Sequence, residues 1–175
     1  MAPPTPLGRQ MLRLGLLFSL VLVLADQLTK ILAMNTLLAG GKAIEVAPFL
    51  NLVVVWNRGV SFGLLSSDSP WGPWLLGGFA LAVAGALVIW LLRADNRILG
   101  SGLGLVIGGA VGNAIDRALY GAVVDFVDAH WGDLHWPAFN IADAAITLGV
   151  GFLLLDALGI GTGARASEGG RTSDG

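Results

Sequence analysis

The residues of this chain best suited to chemistry lie between 108 and 147, GGAVGNAIDRALYGAVVDFVDAHWGDLHWPAFNIADAAIT. The stretch carries Asp116, Asp125 and Asp143, with Asn113, Arg117 and Asn140 among them, and it joins two strongly hydrophobic segments. Ionisable groups beside lipid are costly to keep, so in a membrane chain they mark function by default. Two carboxylates held close together cannot both ionise; one keeps its proton and the other stays bare. The bare one takes a proton from water as the water attacks a peptide carbonyl. The protonated one donates a hydrogen bond to the oxygen on which charge develops.

Asp125 sits in Val-Val-Asp-Phe, on an extended piece after the Gly121 turn. Asp143 sits one turn into the last apolar segment, with Asn140 on the same face and Thr147 a turn below. The third and fourth segments are antiparallel neighbours with a short connection, so Asp125 and Asp143 are expected to meet near the outer membrane boundary. A helix N-terminus favours negative charge, which points to Asp143 as the more easily ionised member. Asp116 competes for the role but reads as a structural acid bound to its helix. Asn113, Arg117 and Asn140 would orient the carboxylates or balance their charge. The same constellation also suits a proton or ion pathway. Spacing alone therefore leaves a protease and a small proton-coupled carrier or channel both open.

Other chemistries are weaker. Ser61 has no His or Lys at a telling spacing. His130 and His135 match no strong ligand pattern, and Trp131 and Trp136 beside them suggest an interfacial loop, so no metal is expected. Asp128 and Asp133 read as solvated loop charges. GGAVGN lacks a preceding strand and a phosphate-binding Lys, so no nucleotide cofactor is expected. The chain has no Cys, which removes disulfides, thiolate nucleophiles and Cys-ligated metals.

The elements that must position these residues follow from composition. Hydrophobic residues make up 55% of the 175, charged residues 13%, and mean hydropathy is +0.76. That is an integral membrane protein of a few spans. The net charge of -2 gives no sign of nucleic-acid binding. Spans are expected over 14–34, 71–92, 98–119 and 137–160, each near the roughly 20 residues a bilayer requires. A cleaved signal peptide ending near Val23-Leu24-Ala25 is the rival for the first. The apolar pattern running on past Asp26 and Lys30 to Met34 favours a retained helix. Asp26 and Lys30, four apart, share a helical face and form an ion pair that supports the structure. The rival roles are a lipid-headgroup contact or an anchor for the site.

Residues 35–70 form a long connection, rich in β-branched and aromatic residues between 43 and 57 and broken by Pro48. Two or three short strands are expected there, with a turn at Asn57-Arg58-Gly59. Such a sheet could rest on the lipid surface and hold an extended peptide. Gly100, Gly104, Gly108 and Gly112 recur every four residues and make a ridge for close helix packing, which Asp116 continues. Arg9, Arg13, Arg93, Arg97, Arg165 and Arg171 all fall on one side of a four-span chain, which should be the cytoplasm. Met1 to Gln10 and the stretch after Gly161 read as disordered tails.

These residues resemble the lipoprotein signal peptidases (signal peptidase II). Asp26-Gln27-Leu28-Thr29-Lys30 is similar to the family's first-span motif. Asn57-Arg58-Gly59-Val60-Ser61-Phe62-Gly63 is similar to its outer-loop motif, and residues 108–117 to its third-span motif. Val124-Asp125-Phe126 and Phe139-Asn140-Ile141-Ala142-Asp143 resemble its two catalytic segments. The resemblance covers about residues 12–158. It implies an all-α protein of four transmembrane helices with a small periplasmic β-cradle between helices 1 and 2. One domain would span 1–161, with a β-rich insertion at about 41–66, and 162–175 would be a cytoplasmic tail. It implies a bacterial inner-membrane aspartic endopeptidase that cuts diacylglyceryl-modified prolipoproteins on the amino side of the modified cysteine, at the periplasmic face. Asp125 and Asp143 would be the dyad, Asn113, Arg117 and Asn140 its polar support, and Asn57 would lie near the lipid-modified segment. The partners expected are that precursor and membrane lipid, with the enzyme a monomer.

Overall fold

The computed structural model describes residues 6–38, 40, 43–59 and 71–160. Ser61 and the rest of the outer-loop motif from Val60, the tail from Gly161, and Arg165 and Arg171 lie outside the described residues.

Among the described residues, four α-helices and a four-stranded antiparallel sheet make up the fold. The order is α1 (Pro6–Ala33), β1 (Ile44–Ala47), β2 (Leu50–Asn57), α2 (Gly72–Leu91), α3 (Arg97–Tyr120), β3 (Val123–Trp131), β4 (Leu134–His135) and α4 (Ile141–Ala157). A π-helical turn, Met34–Leu38, extends α1. Among the described residues, three helices are long and apolar enough to cross a membrane: α1 with its extension, α2 and α3. The fourth has 17 residues, about 26 Å of rise. The first helix begins at Pro6, so Pro6 to Gln10 are helical rather than a disordered tail. Pro6 opens the helix, where its missing N–H costs nothing.

Helix α3 is the centre and packs against the other three. Its glycine ridge faces α1: a Cβ at Gly100, Gly104, Gly108 or Gly112 would meet Met11, Gly15, Ser19 or Asp26 in turn. Ser19 Oγ donates to the Gly104 carbonyl at 2.7 Å across this seam. Gly102 and Gly109 give α4 the same close approach, against Gly149 and Ala142. At the far end Leu91, Leu103 and Met11 close an apolar core with α2. Most other apolar side chains on α1, α2 and α4 face outward, as lipid-facing surfaces do.

The sheet differs from the sequence expectation. It runs β1-β2-β3-β4, so half of it comes from the connection between α3 and α4 rather than from the insertion between helices 1 and 2. The reason is pairing. Leu50–Leu52 and Val55–Asn57 bond to β3 across a β-bulge, and such long-range register is invisible in a local pattern. Asp128 is correspondingly not a solvated loop charge. It lies on β3 opposite Asn51, which donates to it at 3.1 Å, and it pairs with His135 Nδ1 at 2.7 Å. These bonds hold its carboxyl below the usual carboxylate range, His135 first and Asn51 second. His130 stacks on His135 with ring centroids 4.9 Å apart.

Candidate active site

The site forms where the ends of α1 and α3, the start of α4 and the strands β2 and β3 meet. Gly121 ends α3 in the left-handed conformation, φ 71°, so the chain turns sharply into β3. Asp125 follows on β3 and is 1% exposed. Val55 lies directly opposite it on β2, and Asn57 two residues along on the same face. From that diagonal position Asn57 Nδ2 donates to Asp125 Oδ2 at 3.0 Å, while its Oδ1 accepts from the Gly59 N–H. The turn signal in the sequence is therefore also the hinge that aims Asn57.

Asn140 is brought to the same carboxylate by a β-bridge. Phe139 exchanges backbone hydrogen bonds with Val127, at 2.9 and 3.1 Å, which lays the segment before α4 across β3. Asn140, fully buried, donates from Nδ2 to Asp125 Oδ1 at 2.7 Å. It is also the N-cap of α4. Its Oδ1 accepts from Asp143 N–H at 2.9 Å, and Asp143 Oδ2 accepts from Asn140 N–H at 3.2 Å. This reciprocal capping box satisfies two helix-end donors at once. Its sequence signal, Asn-x-x-Asp before an apolar run, is present in Asn140-Ile-Ala-Asp143. One asparagine thus touches both aspartates.

Asn113 on α3 completes the link: its Nδ2 donates to Asp143 Oδ1 at 2.8 Å and its Oδ1 accepts from Asn140 at 3.2 Å. Arg117 bonds the Asn113 carbonyl at 3.1 Å and feels the charges of Asp143, Asp116 and Asp125. Burial pushes the Asp125 carboxyl up to about 6. The Asp143 charge adds to the rise, and the bonds from Asn57 and Asn140 and the charge of Lys30 oppose it. Asp125 is thereby suited to hold a proton. An open cavity of about 380 Å³ reaches it, walled by Val55, Trp56, Asn57, Pro137 and Ala138. The cavity is large enough for a few residues of extended peptide, and its walls are mostly apolar.

Asp26, Lys30 and Asp116 stand apart from the cavity. Lys30 Nζ, 1% exposed, has three acceptors: Asp26 Oδ2 at 2.8 Å, Asp116 Oδ2 at 2.7 Å and Asn113 Oδ1 at 3.1 Å. All three ammonium donors are used inside the protein. Gln27, which residue-type reasoning passed over, donates to Asp116 Oδ1 at 2.9 Å and to Asp26 Oδ2 at 3.2 Å. Among the described residues no group of three or more His, Cys, Asp or Glu side chains is arranged to hold a metal ion.

Comparison with known proteins adds to this geometry. The family model for Signal peptidase (SPase) II matches residues 18–159. The chain is 51% identical over 147 residues to the lipoprotein signal peptidase of Methylobacterium radiotolerans, covering 83% of this chain and 86% of that one. It is 44% identical over 149 residues to that of Paraburkholderia phymatum, covering 84% and 89%. A bacterial membrane enzyme solved by the in meso method at 1.9 Å superposes with a TM-score of 0.72 at 31% identity, over 90% of this chain and 97% of that one.

Proposed function

Because the chain belongs to the signal peptidase II family, a bacterial membrane peptidase that removes signal peptides from prolipoproteins, we propose that it does so as an aspartic endopeptidase with Asp125 and Asp143 as its catalytic pair. The observation that carries this reading is Asn140, whose side chain bonds one aspartate and caps the other beside an open cavity.

In the reactive form Asp125 holds the proton, which its burial favours up to about pH 6. Asp143, held by Asn113 at the α4 N-terminus, takes the part of the base. Water gives a proton to Asp143 as its oxygen attacks the scissile carbonyl, and the Asp125 hydroxyl hydrogen-bonds the developing oxyanion. The C–N bond then breaks, the amine takes the proton from Asp143, and the acid product leaves with the water oxygen. The leaving amine is that of a cysteine carrying diacylglycerol. Its acyl chains would stay in the bilayer while the peptide lies along β2 in the cavity, with Asn57 beside the modified segment. In this reading α4 is the fourth span, Asp125 faces the periplasm of the inner membrane, both termini are cytoplasmic and the enzyme works as a monomer. The whole of 1–161 then acts as one domain.

A proton-coupled carrier would need a continuous polar path. The buried charges here are instead closed on one another, with Lys30 held by Asp26, Asp116 and Asn113.

The test is incubation of the purified protein with a precursor, with and without its diacylglyceryl group, reading product mass. Only the modified precursor should be cut. Asp125→Asn and Asp143→Asn should each lower kcat by about a thousandfold or more, roughly 4 kcal/mol of barrier, while remaining folded. Turnover near the wild-type rate in both variants would remove the mechanism. Chelators should leave the rate unchanged; a loss would move suspicion to His130 and His135.

A further inference from the structure

The buried charges that the mechanism leaves unused touch the backbone at two telling places. Asp116 Oδ2 accepts from the N–H of Val124 at 3.1 Å, and Asp26 Oδ1 accepts from the N–H of Ala142 at 3.0 Å. Val124 precedes Asp125 and Ala142 precedes Asp143. Each carboxylate of the triad therefore grips the peptide unit one residue before one member of the pair. Lys30 lies between the two carboxylates and also bonds Asn113, which holds Asp143 from the side. Gln27 ties the same two carboxylates together. Asp26, Lys30 and Asp116 are at most 1% exposed, and each carboxylate oxygen has at least one donor.

We propose that Asp26, Lys30 and Asp116 are positioning residues that fix the spacing of Asp125 and Asp143 by clamping the Val124 and Ala142 amides to one ammonium. The proposal rests on the reading of Asp125 and Asp143 as the catalytic pair.

Two physical points favour a clamp over a mere rivet between helices. Helix contact needs no charge, because the glycine ridge already seats α1 on α3 from Gly100 to Gly112. A buried ion pair is also seldom the most stable filling for such a space; well-packed apolar residues commonly do as well or better. What apolar residues cannot do is accept the two N–H groups. Charge-assisted acceptors are short and directional, so they set the place of a backbone closely, and small errors of placement are expensive in catalysis.

Two triple variants separate these roles. Asp26→Leu, Lys30→Met with Asp116→Leu removes every charge and both acceptors. Asp26→Asn, Lys30→Met with Asp116→Asn removes the charges but keeps a carbonyl oxygen for each amide. On the lipid-modified precursor the leucine set should lose about a hundredfold in kcat, with KM within about threefold of wild type. The asparagine set should recover about tenfold of that loss. Equal turnover by the two sets, or a kcat within about threefold of wild type for the leucine set, overturns the proposal.

If the leucine set does not fold, Gln27→Met decides. It alters no charge, and it should lower kcat about three- to tenfold with KM unchanged; an unchanged kcat sinks the clamp. Asp125→Asn and Asp143→Asn run alongside. If they turn over, the catalytic pair is misassigned. If they are dead while the triad variants match wild type, the clamp alone fails.

Discussion

At the scale of single residues, Asp125 shows how burial creates an acid. Its ordinary carboxyl value of 3.8 is raised to about 6, chiefly because the charged form is shut away from water, and secondarily by the Asp143 charge. Between those values the folded protein binds a proton that the unfolded chain has already lost. Stability therefore falls as pH rises through that window: the contribution is full below about 4 and lost above about 6. The strain above pH 6 is on the order of 3 kcal/mol at most. Asp125→Asn cannot ionise and escapes it. Relative to wild type its Tm should climb from about pH 4 to about pH 6 and level off above, and parallel Tm profiles would contradict the raised carboxyl. An amide facing the donors of Asn57 and Asn140 adds a penalty of its own, but that penalty does not vary with pH, so the trend is the signal. Much of the candidate site was legible at residue scale, since Asp125, Asn140 and Asp143 stand out by type and spacing. Asn57 was reached only through its likeness to a family motif. Its bond to Asp125 depends on strands 68 positions apart pairing in one register, and nothing local in either stretch encodes that.

At the scale of elements, the four-residue glycine period was readable as a helix seam, but not which helix fills it. The period says only that a backbone comes close. The partner is α1, whose Met11, Gly15, Ser19 and Asp26 match the ridge step for step because residues at three- and four-residue spacing share one face. The tightest point is Gly104, where a Cβ would come within 2.5 Å of the Gly15 carbonyl oxygen and 2.8 Å of its Cα. Both are backbone atoms, so no side chain can rotate away. Gly104→Ala should force α1 and α3 apart and cost about 1–3 kcal/mol. Gly85, on α2, has nothing within 4 Å of its notional Cβ. Gly85→Ala should be neutral or slightly stabilising, by up to about 1 kcal/mol. Thermal unfolding of the two variants in one detergent makes the comparison, and equal effects would mean that the seam is not tight. Separation of α1 from α3 also pulls Asp26 away from the Ala142 amide, so Gly104→Ala should lose turnover along with stability. Element bounds were otherwise close to expectation for α2 and α3. The start of α1 was not, because three prolines in the first ten residues suggest a tail, whereas Pro6 is tolerated in a first turn.

At the scale of the whole molecule, the chain has two chemically different ends. Helix directions put Asp125, the cavity and the β3–β4 hairpin at the end where α1 and α3 finish and α4 starts. The short connection carrying Arg93 and Arg97 lies at the other end. The hairpin shows Trp131, Leu134 and Trp136 to the outside, at 85%, 77% and 69% exposure. Aromatic residues of that kind gather where headgroups meet hydrocarbon. Arginines, by contrast, are retained on the cytoplasmic side during insertion. Together these features support the proposed orientation, in which the cavity faces outward toward precursors whose lipid is already in the bilayer. Because the chain has no cysteine, single thiols report the orientation without background. Asp133 in the hairpin and Asp95 in the arginine connection are both exposed and belong to neither the proposed pair nor the clamp. In intact spheroplasts an impermeant maleimide should label Asp133→Cys at once and Asp95→Cys only after permeabilisation. The opposite pattern would turn the molecule over and put the cavity in the cytoplasm, where a secreted precursor's cleavage site never dwells. Labelling of both from outside would mean that the connection between α2 and α3 is not held across the bilayer, and the arginine argument would fall with it.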